Sequence, residues 1–118
     1  MLDPQEIRKE WQEGIKKAEI KKMEARKEEA KKIFQWILKS FRERFEEGNF
    51  GNTISLWQYD DSNELNGGHD KYNMCYDREV IYPIICEVIN SEEGYQASYR
   101  KDAAYYDENA WELTVKIE

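Results

Sequence analysis

The pattern of hydrophobic and polar positions divides the chain near Gly48 into a helical first part and a strand-rich second part. Asp3 and Pro4 are typical of a helix start, because Asp can cap the first amides and Pro suits the first helical position. No turn signal follows until Gly48, and about 44 helical residues rising 1.5 Å each span roughly 66 Å. The remaining chain would fold into a globule only about 28 Å across. Much of this helix must therefore extend beyond the rest of the protein.

Helical periodicity separates two apolar stripes on this long helix. The first becomes denser over residues 33–47, so this third of the helix is predicted to dock on a sheet. Its members are Ile20, Met23, Ala30, Phe34, Ile37, Leu38, Phe41 and Phe45. The second stripe lies on another side of the helix and includes two tryptophans, which are favoured anchors in protein interfaces. We call it the seam: Ile7, Trp11, Ile15, Ala18, Ala25 and Trp36.

A single sheet cannot easily cover both stripes of one helix. The sequence therefore predicts that the seam contacts another chain, with a homodimer as the first expectation. The alternative is a helix that breaks at Gly14 and folds back to cover both stripes within one chain. Charges of both signs surround the helix, which indicates a solvated helix, whereas nucleic-acid binding would concentrate positive charge on one face.

The second part of the chain predicts four strands and one short helix. The helix covers residues 78–93, and its regular part is expected near Tyr82 or Pro83, because a proline inside a helix removes a hydrogen bond. Strands are predicted at 52–59, 71–76, 95–101 and 111–118, with loops at 60–70 and 102–110. The predicted fold is a single α+β domain of order α-β-β-α-β-β, in which the C-terminal third of helix 1–48 docks on the antiparallel sheet of the acidic, Tyr-rich globule 49–118.

Charge differs sharply between the two parts of the chain. Residues 1–48 contain 13 Lys and Arg against 11 Asp and Glu, whereas residues 49–118 contain 5 against 14. The acidic globule repels nucleic acids and membrane surfaces and favours a protein partner with a basic surface. All eight tyrosines follow residue 58, and Tyr is enriched in interfaces. The predicted acidic partner surface comprises Asp60, Asp61, Glu64, Asp102, Tyr105, Tyr106, Asp107 and Glu108.

Residue patterns that carry catalysis or metal binding are weak in this sequence. His69 lies in an acidic loop, but Leu65 occupies the position where a calcium loop that starts at Asp60 requires glycine. Cys75 and Cys86 lack zinc spacing and are predicted to be buried thiols in a reducing compartment. We therefore predict no catalytic residue, metal or cofactor. No apolar run approaches the ~18 residues of a membrane span, and we expect a cytoplasmic protein.

Small size, acidity and the lack of motifs are the properties in which this chain resembles the proteins that phages use to inhibit host defences, anti-CRISPR proteins among them. The resemblance implies a non-enzymatic inhibitor that binds a host protein in the host cytoplasm. Two other functions stay open. One is an oligomer that binds a nucleotide or other small ligand between its subunits, and the other is a structural or assembly protein.

Overall fold

The fold is a long helix and a short helix on one antiparallel sheet. The computed structural model describes residues 3–67, 70–105 and 108–118, with the backbone alone at residue 105. The helices are α1, Pro4–Glu46, and α2, Arg78–Asn90. The strands are β1 Thr53–Tyr59, β2 Glu64–Asn66, β3 Lys71–Asn73, β4 Tyr95–Tyr105 and β5 Glu108–Ile117. Their order across the sheet is β3-β2-β1-β5-β4, so the predicted α+β class is confirmed with one strand more than expected.

The additional strand, β2, lies inside the segment that was predicted as a loop. It has three residues, with Leu65 fully buried, and Asn66 pairs with Trp57 of β1. The sequence did not predict this strand, because three residues are too few to show the alternation of apolar and polar positions that marks a strand, and Asp, Asn and Gly surround them. The predicted loop at 102–110 is also mostly strand, because β4 and β5 continue to the pair Tyr105 and Glu108.

Helix α2 begins at Arg78, so the predicted later start near Pro83 is wrong. Pro83 lies inside the helix and is exposed. A proline at this position removes one backbone hydrogen bond. Ile81, Tyr82 and Ile85 are fully buried around it, and their burial offsets that loss.

The hydrophobic core lies between one face of the sheet and the two helices. The strands contribute Ile54, Leu56, Leu65, Trp111, Leu113 and Val115 to this core. Helix α1 contributes Ala30, Ile33, Phe34, Ile37 and Phe41. Docking of α1 therefore begins near Ala30, close to the predicted start of the docked third at residue 33.

Helix α1 continues without a break through Gly14, so the fold-back alternative is not adopted. All of residues 3–25, which we call the projecting segment, are exposed. The molecule measures 72 × 34 × 19 Å, and its radius of gyration is 18.7 Å. A compact domain of this length has a radius of gyration of about 13–14 Å. The helix therefore extends well beyond the core that holds its C-terminal third.

Candidate protein-binding surfaces

The projecting segment carries large apolar side chains that are left exposed by the part of the chain that the structure describes. On the seam, Ile7 is 45% exposed, Trp11 64% and Ile15 41%. The seam alanines Ala18 and Ala25 are exposed as well. Contiguous apolar surface of this kind commonly marks an interaction site on a folded protein. The first apolar stripe, whose C-terminal part packs in the core, also continues into the projecting segment, where Ile20 and Met23 are exposed.

Trp36, the last seam residue in the sequence, packs within the chain. Its indole Nε1 donates to Oδ2 of Asp70 over 3.3 Å, and its ring centroid lies 5.6 Å from that of Tyr72. A Cβ atom at Gly67 would come within 3.0 Å of the Trp36 ring, so the close contact favours glycine there. The Lys71 amide and the Trp36 indole both lower the pKa of Asp70. Trp36 thus joins α1 to the β2–β3 hairpin.

Strand β3 also limits how far a partner can follow the seam. The Tyr72 hydroxyl donates to Oε1 of Glu29 over 2.6 Å, and desolvation together with this carboxylate raises the pKa of Tyr72. Glu29 lies four residues after Ala25, on the same side of α1. The part of the seam that is open to a partner therefore runs from Ile7 to Ala25.

Part of the predicted acidic surface gathers where β1 ends and β5 begins. The Asp60 amide donates to the Asn109 carbonyl over 3.1 Å. This contact brings Asp60 and Asp61 beside Glu108, and the four residues line one shallow depression. Tyr106, Asp107 and the side chain of Tyr105 lie outside the described part of the chain.

The other two predicted acidic residues lie elsewhere on the sheet. Glu64 is half-buried on β2. Asp102 is exposed on β4, where the register with β5 shifts between Arg100 and Ala103. Its φ of 56° is in the left-handed region, which is occupied at one class of β-bulge. The structure therefore groups Asp60, Asp61 and Glu108 and leaves these two apart.

Basic side chains pair with two members of the predicted acidic surface. Arg78 Nη1 lies 3.0 Å from Oδ1 of Asp60, and Lys71 Nζ lies 3.3 Å from Oε2 of Glu64. Exposed pairs of this kind contribute only about 0–1 kcal/mol to stability, but they reduce the local negative charge. Sequence reasoning did not identify these pairs, because Arg78 is 18 residues from Asp60 and only the tertiary fold brings them together.

An aromatic cluster at the same end of the sheet uses two tyrosines for packing. Trp111, which is 6% exposed, stacks on Tyr99 with ring centroids 5.9 Å apart and meets Tyr82 edge-on at 5.3 Å. The Arg78 guanidinium and the Lys101 ammonium lie 5.1 and 4.9 Å from the centre of the Trp111 ring. Arg78 thus contacts both an acidic residue and the aromatic cluster.

The reactive side chains are dispersed in the part of the molecule that the structure describes. Cys86 is buried, which raises the pKa of its thiol to about 11, whereas Cys75 is exposed, so its predicted burial is wrong. Over residues 3–67, 70–105 and 108–118, no three His, Cys, Asp or Glu side chains come together as metal ligands. His69 lies outside these ranges. Neither described helix is long and apolar enough to cross a membrane.

Comparisons with other proteins found no similarity. A scan of protein-family models, a search of curated proteins and a search of solved structures each returned no match to this chain. The case for a function therefore depends on the two surfaces described above.

Proposed function

We propose that this protein is a non-enzymatic protein-binding module and that the projecting segment is its main binding element. The observation that carries the proposal is a stretch of exposed helix, residues 3–25, with Ile7, Trp11 and Ile15 on one side. Leaving apolar area in water is unfavourable by about 25 cal/mol per Å². Covering the seam with a partner removes this penalty, and a second copy of the chain is one such partner.

The acidic end of the sheet is the second contact surface in this proposal. Asp61 and Glu108 are exposed there, on a globule with 14 acidic and 5 basic residues. Charge complementarity favours a partner with a basic surface and speeds the encounter with it. Inhibition of a host defence protein by a phage protein is the form of this function that small size and negative charge favour.

Site-specific photo-crosslinking tests the proposal. Trp11 is replaced by a benzophenone amino acid, and the protein is irradiated in the cells that produce it. Covalent adducts with the mass of a second protein chain are expected, because Trp11 is the most exposed large apolar residue of the seam. The matched control carries the same amino acid at Glu24, which is also exposed but lies on the other side of the helix. Equal adduct yields at the two positions would contradict the proposal.

The acidic surface has its own test. The benzophenone amino acid at Asp61 should capture a partner in low salt, and the yield should fall as salt increases, because exposed charges are screened over about 10 Å at 0.1 M salt. Adduct yield at Trp11 is the internal control, since apolar contact is much less sensitive to salt. A yield at Asp61 that is indifferent to salt would argue against an electrostatic contact there.

A further inference from the structure

We infer that the seam binds a second copy of this chain, with the two projecting segments antiparallel and the two-fold axis near Lys16. This inference rests on the proposed function, because it names the partner that covers the same seam. Three features of the projecting segment support it: the sizes of the seam side chains, the charges at the seam's edges, and the length of helix that is open to a partner.

Side-chain size along the seam is asymmetric. The large residues Ile7, Trp11 and Ile15 come first, and the small residues Ala18 and Ala25 follow. In an antiparallel pair centred near Lys16, Ile7 of each copy faces Ala25 of the other and Ile15 lies near Ala18, which allows close packing. A parallel pair would set Trp11 against Trp11 and Ala18 against Ala18, which produces crowding at one level and a gap at the next.

The charged residues along one edge of the seam are also distributed asymmetrically, with an acidic residue near the N-terminal end and a basic residue further on. Glu10 and Lys21 are eleven residues apart, three helical turns, and therefore lie along the same edge of the seam. With the axis near Lys16, Glu10 of each copy lies beside Lys21 of the other, and symmetry makes this contact twice. Lys22, at a seam position, comes within reach of the Trp11 ring of the second copy, where a cation–π contact is favourable. In a parallel pair this flank of the seam would face the opposite flank of the second copy, so Glu10 would not meet Lys21.

The length of helix that a partner can reach independently places the two-fold axis near Lys16. Helix α1 begins at Pro4, where Asp3 Oδ1 accepts from the Gln5 amide over 2.9 Å. At the other end, the hydrogen bond from Tyr72 to Glu29 joins α1 to the globule. The midpoint of this stretch falls next to Lys16. An antiparallel partner centred there covers the open seam from Ile7 to Ala25, about 27 Å of helix, before the first turn of its own α1 reaches the globule.

Charge reversal tests the arrangement on the purified full-length chain. The dimer dissociation constant is measured by sedimentation equilibrium at low salt for the native chain, Glu10→Lys, Lys21→Glu and the variant that carries both changes. Each single change should weaken dimerisation roughly tenfold, because two attractive contacts become repulsive. The double variant should return to within about threefold of the native value. Glu10 and Lys21 are too far apart to meet within one helix, so recovery requires an antiparallel pair.

The controls separate failure of the inference from failure of the proposed function. Glu24→Lys, on the other side of the helix, should change the dissociation constant less than twofold. Circular dichroism should give the same helix content for all variants. A monomeric native chain at several hundred micromolar, or no recovery in the double variant, overturns the inference. Photo-crosslinking of Trp11 to a different protein then leaves the proposed function standing, whereas equal adduct yields at Trp11 and Glu24 remove it as well.

Discussion

At the scale of single residues, Asn90 protects the exposed edge of the sheet. Its Oδ1 accepts from the Ala97 amide over 2.7 Å, and its Nδ2 donates to the Ala97 carbonyl over 3.0 Å. Strand β4 is an outer strand, and unpaired groups on such strands can pair with other chains. The amide side chain of Asn90 therefore occupies the two groups that a foreign strand would use, and it ties the end of α2 to β4.

Replacing Asn90 with Ala should lower the free energy of unfolding by about 1–2 kcal/mol, because two hydrogen bonds to Ala97 are lost. Urea denaturation measures the change. Gln96→Ala is the matched control, since Gln96 is an exposed amide on the same strand, and its effect should stay within about 0.5 kcal/mol. Equal losses in the two variants would show that the contact with Ala97 has no special role.

At the scale of elements, α1 is a helix whose two ends have different support. Its C-terminal third packs in the core, whereas the exposed projecting segment depends on its own backbone hydrogen bonds. Gly14 lies in that segment, and a Cβ atom there would meet nothing within 4 Å. Glycine lowers helix stability relative to alanine, so this position limits the order of the segment.

The substitution Gly14→Ala should stabilise the projecting segment by about 1 kcal/mol. Amide hydrogen exchange over residues 3–25 should slow several-fold, while exchange in the sheet stays unchanged, because the two regions open independently. Gly94→Ala is the contrasting variant, since Gly94 has φ 90° and alanine is strained there. Unchanged exchange around Gly14 would mean that the segment is already held by something other than its own helix propensity.

At the scale of the whole molecule, the globule and the projecting segment should be energetically separate in the monomer. Residues 3–25 are exposed, and the core begins at Ala30. Removing residues 1–24 should therefore change the melting temperature by less than about 4 °C at concentrations where the chain is monomeric. Phe34→Ala, which removes a buried ring 5.2 Å from Tyr95, should instead destabilise by about 3–5 kcal/mol. A truncation as damaging as Phe34→Ala would place the segment in the folding core.

The sequence predicted the elements that helical periodicity or strand alternation specifies over a continuous stretch of chain. The long helix follows from an unbroken helical periodicity after the Asp3 cap, and β1 and β5 follow from alternation over several residues. Strand β2 and the early start of α2 escaped prediction, because Leu65 and Pro83 take their roles from contacts with distant segments. For the same reason, the sequence did not show that Asp60 and Glu108 lie together in the fold while Glu64 lies elsewhere on the sheet.

The sequence by itself determined a helix too long for its globule and an apolar seam along that helix. Both can be read from the residue count between helix start and stop signals and from the helical periodicity. Only the tertiary structure decided which part of the seam is open to a partner. Trp36 and Glu29 are held by the β2–β3 hairpin, whereas Ile7, Trp11 and Ile15 remain exposed. The physical reason is that a side chain's exposure depends on which distant strands pack against it, and no local pattern along one helix records that choice.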